Sequence, residues 1–278
     1  MPHIIELSSF AEHILNSCFP VSSHTFSIHS VYKKAVNLLI GDQILTLLPE
    51  HSPLSALGLM TDLPEAELSS LTPEQIRLLL GTFCTAQVRD LSLPHTKDDD
   101  QIRLLCEQIR PVLTSRLTGG FNDILILKNS DLNLVQLCAA SHIRAAASLL
   151  SGHNFDASVT ELGALIGLGI GLTPSGDDFL CGVLAGCALA GIFESDFCRR
   201  LRSHILSHLE RTNDISGSFL SCAASHQFSS AVSLLGGERC PSSVEIDSAF
   251  SAVGHSSGFD TLYGIYFILS LSSVCHIS

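Results

Sequence analysis

The chain has 278 residues, of which 46% are hydrophobic and only 15% charged, and its formal net charge is −12. This composition excludes a disordered chain, because enough apolar side chains are present to fill a sizeable core. The negative charge, without any Lys/Arg run longer than two residues, argues against nucleic acid or an anionic membrane surface as a partner. A surface this poor in charge is typical of a protein that works inside a complex.

The cysteines and the N-terminus indicate a cytoplasmic protein. No two cysteines form a C-x-x-C pair, so we expect free thiols in a reducing compartment. Met1–Ser23 has no basic start and contains acidic residues, which argues against a signal peptide. Phe179–Phe193 and Thr261–Cys275 are apolar runs of 15 residues each, shorter than the roughly 20 of a membrane span. The ten cysteines are Cys18, Cys84, Cys106, Cys138, Cys181, Cys187, Cys198, Cys222, Cys240 and Cys275.

The first part of the chain has the patterns of a β-rich unit with helical interruptions. Ser30–Ile40 and Gln43–Leu48 resemble two strands joined by a tight turn at Gly41-Asp42, and Leu54–Met60 resembles a third. Thr72 precedes a Pro and a Glu, which predicts a capped helix from Pro73 to about Leu80. Helical spacing of apolar residues predicts another helix over Asp98–Leu113.

Beyond about residue 130 the pattern becomes helical, so the sequence predicts an α+β protein. We expect a mixed, β-rich N-terminal domain at 1–125 and a helical domain at 126–278, with Gly119-Gly120 marking the boundary. The predicted helices are Leu132–Leu150, Ser158–Leu165, Phe179–Phe193, Arg199–Glu210 and Ser216–Leu235.

One eight-residue frame, S-G-x-D-x-L-x-G, occurs twice in the predicted helical domain. Each copy follows a stretch of small or Gly residues and opens an apolar run, so each predicts a loop that delivers an Asp to the start of a buried helix. We interpret the two copies as halves of one site. They are Ser175-Gly176-Asp177-Asp178-Phe179-Leu180-Cys181-Gly182 and Ser257-Gly258-Phe259-Asp260-Thr261-Leu262-Tyr263-Gly264.

A Gly-rich loop leads into the first copy. Gly167, Gly169 and Gly171 alternate with aliphatic residues, and Thr173-Pro174 predicts an N-cap and a first helical residue. Backbone N–H groups in such a loop, next to a helix start, form a recurrent anion site. The alternative is that the glycines only permit a tight, buried chain reversal.

The three Asp residues of the duplicated frame are candidate catalytic residues. Asp177 and Asp178 are the only charged residues between Gly163 and Phe193, and Asp260 repeats the position of Asp178. Together they could hold a divalent cation, accept hydrogen bonds from substrate N–H groups or act as a base. The alternative is that they only oppose the helix dipole.

Further polar candidates lie near the second copy and elsewhere in the chain. His255 could protonate or orient a substrate, although it could also be an ordinary loop histidine. Asn37 is an unexpected polar residue within a predicted strand. Thr212, Ser216 and Ser218 lie in a polar break between helices and could line the site, although a helix cap explains Thr212 equally well. The candidate substrate-binding residues are Asn37, Gly169, Gly171, Thr173, Ser175, Gly176, Ser256, Ser257, Gly258 and Thr261.

These motifs resemble those of a bacterial family, the DUF2877 type, whose best-known member is similar to the H subunit of oxamate carbamoyltransferase from anaerobic allantoin degradation. The residues that carry the resemblance are Gly167 to Gly182, Ile246-Asp247-Ser248, Gly254 to Gly264 and, more loosely, Val31 to Leu48 with Asn37. The resemblance implies a complex with two other subunit types, one of them acyl-CoA-synthetase-like. It also implies a reaction of oxalurate and phosphate to oxamate and carbamoyl phosphate, with a small anionic substrate.

Two alternatives remain open at this point. The chain could be a non-catalytic scaffold or ligand-sensing subunit, in which the two motifs only lock two helix starts together. It could also be a metal-dependent hydrolase, because Asp260-Thr261 resembles the Asp-Thr metal ligands of ADP-ribosylglycohydrolases. That alternative implies a divalent cation as cofactor.

Overall fold

The structure, a computed structural model, describes residues 2–18, 26–93 and 96–272. It has a six-stranded mixed sheet in the N-terminal part and mostly helices after it, which confirms the predicted α+β class. Contacts divide the chain into two compact units, Met1–Ser92 and Leu93–Ser278.

The first unit carries the sheet, with the strand order β2-β3-β4-β5-β1-β6. The pairs β2–β3, β3–β4 and β5–β1 are antiparallel, whereas the pairs β4–β5 and β1–β6 are parallel. Its elements are β1 Ile4–Ser8, α1 Ser9–Cys18, β2 Phe26–Tyr32, β3 Ala35–Ile40, β4 Gln43–Leu48, β5 Gly58–Thr61, α2 Glu65–Leu68, α3 Pro73–Leu80 and β6 Gln87–Arg89.

The predicted turn at Gly41-Asp42 is confirmed, since β3 and β4 form a hairpin across it and Gly41 has a φ of +65°. The single strand predicted over Ser30–Ile40 is wrong. A turn at Lys33-Lys34 divides it into β2 and β3, which leaves the Lys33 side chain 87% exposed. The predicted strand Leu54–Met60 starts only at Gly58, and Leu54 instead packs beside Met60.

Asn37 is buried in the sheet of the first unit, and its polar groups are bonded there. Thr46 donates a hydrogen bond to Asn37 Oδ1 (2.8 Å), and Asn37 Nδ2 donates to Ser30 Oγ (3.0 Å). These three residues are paired across β2, β3 and β4. Asn37 therefore forms side-chain hydrogen bonds across three neighbouring strands, which explains its burial, because a buried amide has to be hydrogen-bonded.

The second unit is helical. Its helices are α4 Asp99–Leu113, α5 Leu134–Ser151, α6 Phe155–Gly163, α7 Ser175–Leu189, α8 Asp196–Leu206, α9 Asp214–Ala224, α10 Ser230–Leu235, α11 Ser243–Ser251 and α12 Ser257–Ser272. Short 3-10 turns lie at Phe121–Leu125, Asn129–Asp131 and Leu209–Arg211 of this unit, and one lies at Phe83–Thr85 of the first unit. The units divide before α4, earlier than the boundary predicted at 125, because the apolar face of α4 belongs to the core of the helical unit. Whether each unit is a folding domain stays a prediction.

Two details of the helix predictions are wrong. The helix predicted over Ser216–Leu235 is divided into α9 and α10, since the chain turns at His226, which has a φ of +63°. Thr173 does not cap α7: Pro174 occupies the N-cap, and the Thr173 hydroxyl is hydrogen-bonded to Ser257 Oγ (2.8 Å).

Helix α5 is, among the described residues, the one helix long and apolar enough to cross a membrane. A core helix can meet the same criterion, so this helix carries no argument for a membrane. The nine cysteines that the structure describes are free thiols, and Cys275 lies outside the described residues.

Candidate functional site

The two copies of the duplicated frame lie against each other at the starts of α7 and α12. A Cβ atom on Gly182 would lie 2.0 Å from the carbonyl oxygen of Thr261, and one on Gly264 would lie 2.0 Å from that of Phe179. In each copy the eighth residue therefore meets the backbone of the fifth residue of the other copy. Only glycine fits such an approach, so these two positions fix how closely the helices pack.

The polar positions of the two copies are exchanged in the same way. The Ser257 hydroxyl, first in its copy, lies beside the carboxylate of Asp178, and the Ser175 hydroxyl lies beside that of Asp260. Thr173 adds a second hydroxyl next to Asp178, and Ser256 adds one next to Asp260. The site is thus approximately two-fold symmetric, and each copy of the frame forms one half of it.

Asp260 is fully buried, and only one of its oxygens has a hydrogen bond. Oδ1 accepts from the backbone N–H of Phe121 (2.5 Å), whereas Oδ2 has no hydrogen-bond partner among the described residues. Burial raises the pKa of Asp260 from 3.8 to about 7, although the Ser175 hydroxyl, the Phe121 N–H and the Ser256 hydroxyl all oppose the shift.

Asp178 is half-buried and has a matching unpartnered oxygen. Its Oδ2 atom is buried and has no hydrogen bond within the described part of the chain. Burial is the largest cause that raises the pKa of Asp178 well above its usual range, and the negative charge of Asp260 is the second. The effect of the Asp260 charge on the pKa of Asp178 indicates that the two carboxyl groups lie in one electrostatic environment.

Asp177 has a different role from that of Asp178, although the two are adjacent in the chain. Oδ1 accepts from the backbone N–H of Gly167 (2.8 Å), and Oδ2 accepts from the hydroxyls of Thr212 and Ser216 (2.7 Å for Ser216). Both oxygens are used within the protein, and the residue is 1% exposed. Asp177 therefore ties the Gly loop to the start of α9.

The remaining candidates lie around the two helix starts, with two exceptions. Gly169 and Gly171 have φ values of +143° and +103° in the loop before α7, and Ser175, Ser256, Ser257 and Thr261 are half-buried. Gly176 and Gly258 are buried in their helix starts. One exception is Asn37, which lies in the first unit; the other is His255, which lies next to the start of α12 but is exposed and makes no hydrogen bond to a described residue.

The three-carboxylate cation site suggested by the sequence is wrong in its simplest form. Within residues 2–18, 26–93 and 96–272, no three His, Cys, Asp or Glu side chains form a group that could hold a metal ion. The reason is that the oxygens of Asp177 are already bonded to protein donors, which leaves only Asp178 and Asp260 with a free oxygen.

The segment from Gly119 to Asp123 belongs to the site, but the sequence indicated only a boundary there. Phe121 supplies the N–H donor for Asp260, and a Cβ atom on Gly120 would clash with the Asp260 carboxylate. Asp123, which is buried, accepts hydrogen bonds from the N–H groups of Thr118 and Gly119. The available signal was the Gly119-Gly120 pair, which lets the backbone approach a buried side chain closely.

Fold and site define an α+β protein in which two helix starts hold a pair of buried, incompletely bonded carboxyl groups. The chain resembles the H subunit of oxamate carbamoyltransferase: residues 165–269 match the family described as oxamate carbamoyltransferase subunit AllH. That range begins just before the Gly loop and includes both copies of the frame. No curated protein and no solved structure matches the chain.

Proposed function

We propose that this chain is a subunit of an oxamate carbamoyltransferase-like complex, which converts oxalurate and phosphate to oxamate and carbamoyl phosphate. The partners are the other subunits, one of them acyl-CoA-synthetase-like, and the location is cytoplasmic. The match over residues 165–269 supports membership of such a complex.

The substrate site of this subunit lies between the starts of α7 and α12. The observation that carries the proposal is the pair of buried oxygens, Asp178 Oδ2 and Asp260 Oδ2, neither of which has a hydrogen-bond partner among the described residues. Leaving such an acceptor unsatisfied costs about 1–3 kcal/mol, so a site that keeps two of them is suited to a ligand that supplies donors. Carbamoyl and carboxamide groups have N–H donors of this kind.

The same site also offers donors for an anionic oxygen. The first N–H groups of a helix have no acceptor within the helix and point out of its start. Ser175 and Ser257 occupy the first positions of α7 and α12, so their hydroxyl groups lie at the same ends. Fixed donors at such a place stabilise the negative charge that develops on oxygen when a carbamoyl group is attacked.

The proposal predicts that Asp178→Asn and Asp260→Asn each lower the rate of carbamoyl phosphate formation by the reconstituted complex at least a hundredfold. Asn keeps the size of Asp but replaces one acceptor oxygen with a donor, which faces the substrate N–H group. The loss corresponds to about 2.7 kcal/mol at the transition state.

Asp156→Asn is the matched control. Asp156 also lies in the first turn of a helix, α6, but its side chain is 79% exposed. We expect near-wild-type turnover from this variant, and a thermal melt of each protein checks that the fold is kept. Near-wild-type turnover by both Asp178→Asn and Asp260→Asn would exclude this site.

A non-catalytic scaffold is the second candidate, and the exchanged Gly182 and Gly264 contacts favour it, because they fix the helix starts without any ligand. This alternative predicts that the Asn variants assemble and turn over normally, so the same measurements separate the two candidates.

A further inference from the structure

The two unpartnered oxygens belong to a pair of carboxyl groups that have no counter-charge. No Lys, Arg or His side chain within the described residues is hydrogen-bonded or ion-paired to Asp178 or Asp260, and Asp260 is 0% exposed. Two buried carboxylates that repel each other cannot both stay ionised at little cost. Paired carboxyl groups in proteins resolve this conflict by sharing a proton.

We propose that Asp178 and Asp260 act as one proton-holding pair, which is protonated in the free protein and passes a proton to a nitrogen atom of the substrate. The identity of the substrate rests on the proposed function. The proton-holding pair itself does not, because it rests on the burial, packing and electrostatics at the starts of α7 and α12.

The exchanged contacts keep the pair together. Each carboxyl group lies beside the first Ser of the other copy, while the glycines hold the two backbones in contact. None of the neighbouring hydroxyls is hydrogen-bonded to Oδ2 of either Asp within the described residues. A hydroxyl that turns towards the pair can donate to a carboxylate or accept from a carboxylic acid, so it can accommodate both protonation states. These hydroxyls are those of Ser175, Ser256, Ser257 and Thr173. A hydroxyl shell of this kind lets a proton leave and return without rearrangement of charged side chains.

The electrostatic environment of the pair agrees with this assignment. Burial raises the pKa of both carboxyl groups, that of Asp260 to about 7, and the charge of Asp260 raises the pKa of Asp178 further. The other charged or titratable groups of the packed elements are mostly acidic or uncharged. The further charges that act on the pair are those of Asp177 on Asp178 and of Asp123 on Asp260, and both raise the pKa of the carboxyl group. The nearby cation Arg116 is ion-paired to Asp247 of α11 and lies over the Phe259 ring.

The proton has a defined path in the proposed reaction. An oxygen of hydrogen phosphate attacks the carbamoyl carbon of oxalurate, the new C–O bond forms, and the C–N bond to the oxamate nitrogen breaks. The pair gives its proton to that nitrogen, which leaves as the amide of oxamate. The pair then takes up the proton of the attacking phosphate, so one proton moves from nucleophile to leaving group and no other reactant is needed.

The first test uses the isolated full-length chain and needs no activity. At pH 6, infrared difference spectra between wild type and Asp260→Asn should contain the C=O stretching band of a protonated carboxylic acid, and the same band should appear against Asp178→Asn. The difference between wild type and Asp156→Asn should lack it, because Asp156 is exposed. Absence of the band in the Asp178 and Asp260 differences would overturn the proposal.

A stability measurement checks the same pair independently. Because the folded-state pKa of Asp260 is raised from 3.8 to about 7, the folded protein binds more protons than the unfolded chain between these values. The stabilisation is therefore present at about pH 4 and is lost as the pH rises towards 7. We expect the difference in Tm between wild type and Asp260→Asn to fall from pH 4 to pH 7. A difference in Tm that stays constant over this range would contradict a proton held by Asp260.

The second test separates this inference from the proposed function. The pH–rate profile of the wild-type reconstituted complex should fall at alkaline pH, because the pair loses its proton there. The residual turnover of Asp260→Asn should not show this alkaline limb. Turnover with no such limb in wild type would overturn the proton transfer and leave the proposed function intact. A complex that forms but never produces carbamoyl phosphate would overturn the proposed function and the transfer to nitrogen, while the infrared band would still support the pair.

Discussion

Asp177 and Asp178 are neighbours in the chain, yet their carboxyl groups have opposite surroundings. The oxygens of Asp177 accept hydrogen bonds from Gly167, Thr212 and Ser216, whereas one buried oxygen of Asp178 has no partner in the part of the chain that the structure describes. Adjacent residues in a helix point about 100° apart, so one faces the loop and α9 while the other faces α12.

This contrast predicts that Asp177→Asn impairs stability. The amide group would put a donor where an oxygen now accepts, and one buried donor or acceptor would be left unsatisfied. We expect a loss of about 1–3 kcal/mol in the free energy of unfolding, measured by urea denaturation. Asp156→Asn, an exposed acid in a helix start, should change it little. Equal stability of Asp177→Asn and wild type would contradict the anchoring role of Asp177.

At this scale the sequence predicted which residues matter better than what each does. The duplicated frame identified Asp178 and Asp260, but the adjacency of Asp177 and Asp178 suggested a shared role that the contacts of Asp177 do not support. The donor of Phe121 was not predictable, because a backbone N–H group is the same in every residue other than proline.

Helices α7 and α12 are packed through their glycines, and this contact predicts a large effect of a single methyl group. A Cβ atom on Gly182 or Gly264 would lie 2.0 Å from a backbone oxygen, so the helices have to separate. We expect Gly182→Ala and Gly264→Ala each to cost about 3 kcal/mol of the free energy of unfolding, at the upper end for overpacked cores.

Gly217→Ala in α9 is the matched control for this prediction. A Cβ atom there would meet its nearest neighbour at 3.7 Å, which is an ordinary contact. Since Ala favours a helix over Gly by about 1 kcal/mol, this variant should be as stable as wild type or more stable. Thermal melts of the three variants decide the point, and a stable Gly182→Ala protein would contradict the described packing.

Among the elements, those with strong local signals were predicted best. Helix α3 has the bounds that its Thr72 cap and Pro73 indicated, and α4 begins directly after its capping residue Asp98. The division between α9 and α10 was missed, because His226 has no sequence signature for its positive φ. The short strand β6, Gln87–Arg89, lacks periodicity over enough residues to be recognised.

For the whole molecule, the low proportion of charge predicts that the chain functions in a hetero-complex. The second unit exposes three large apolar side chains almost completely, Ile170 (91%), Leu134 (85%) and Val244 (78%). Ile170 lies in the Gly loop that leads into the site. Apolar groups in such positions are typical of surfaces that another protein covers.

We expect the chain to co-elute with its partner subunits in size-exclusion chromatography and to lack carbamoyl phosphate formation by itself. Light scattering of the chain with and without those subunits measures the assembly. An isolated chain that is monodisperse and fully active on oxalurate, with no change when the partners are added, would contradict this prediction.

The exchanged glycines also limit how this protein can evolve. When two side chains collide, a change in one can be compensated by a smaller residue at the other position. Gly182 and Gly264 instead face main-chain carbonyl groups, which every amino acid carries. No second substitution at Thr261 or Phe179 can therefore restore the lost room, so the last position of each copy has to remain glycine whatever residue the other copy carries.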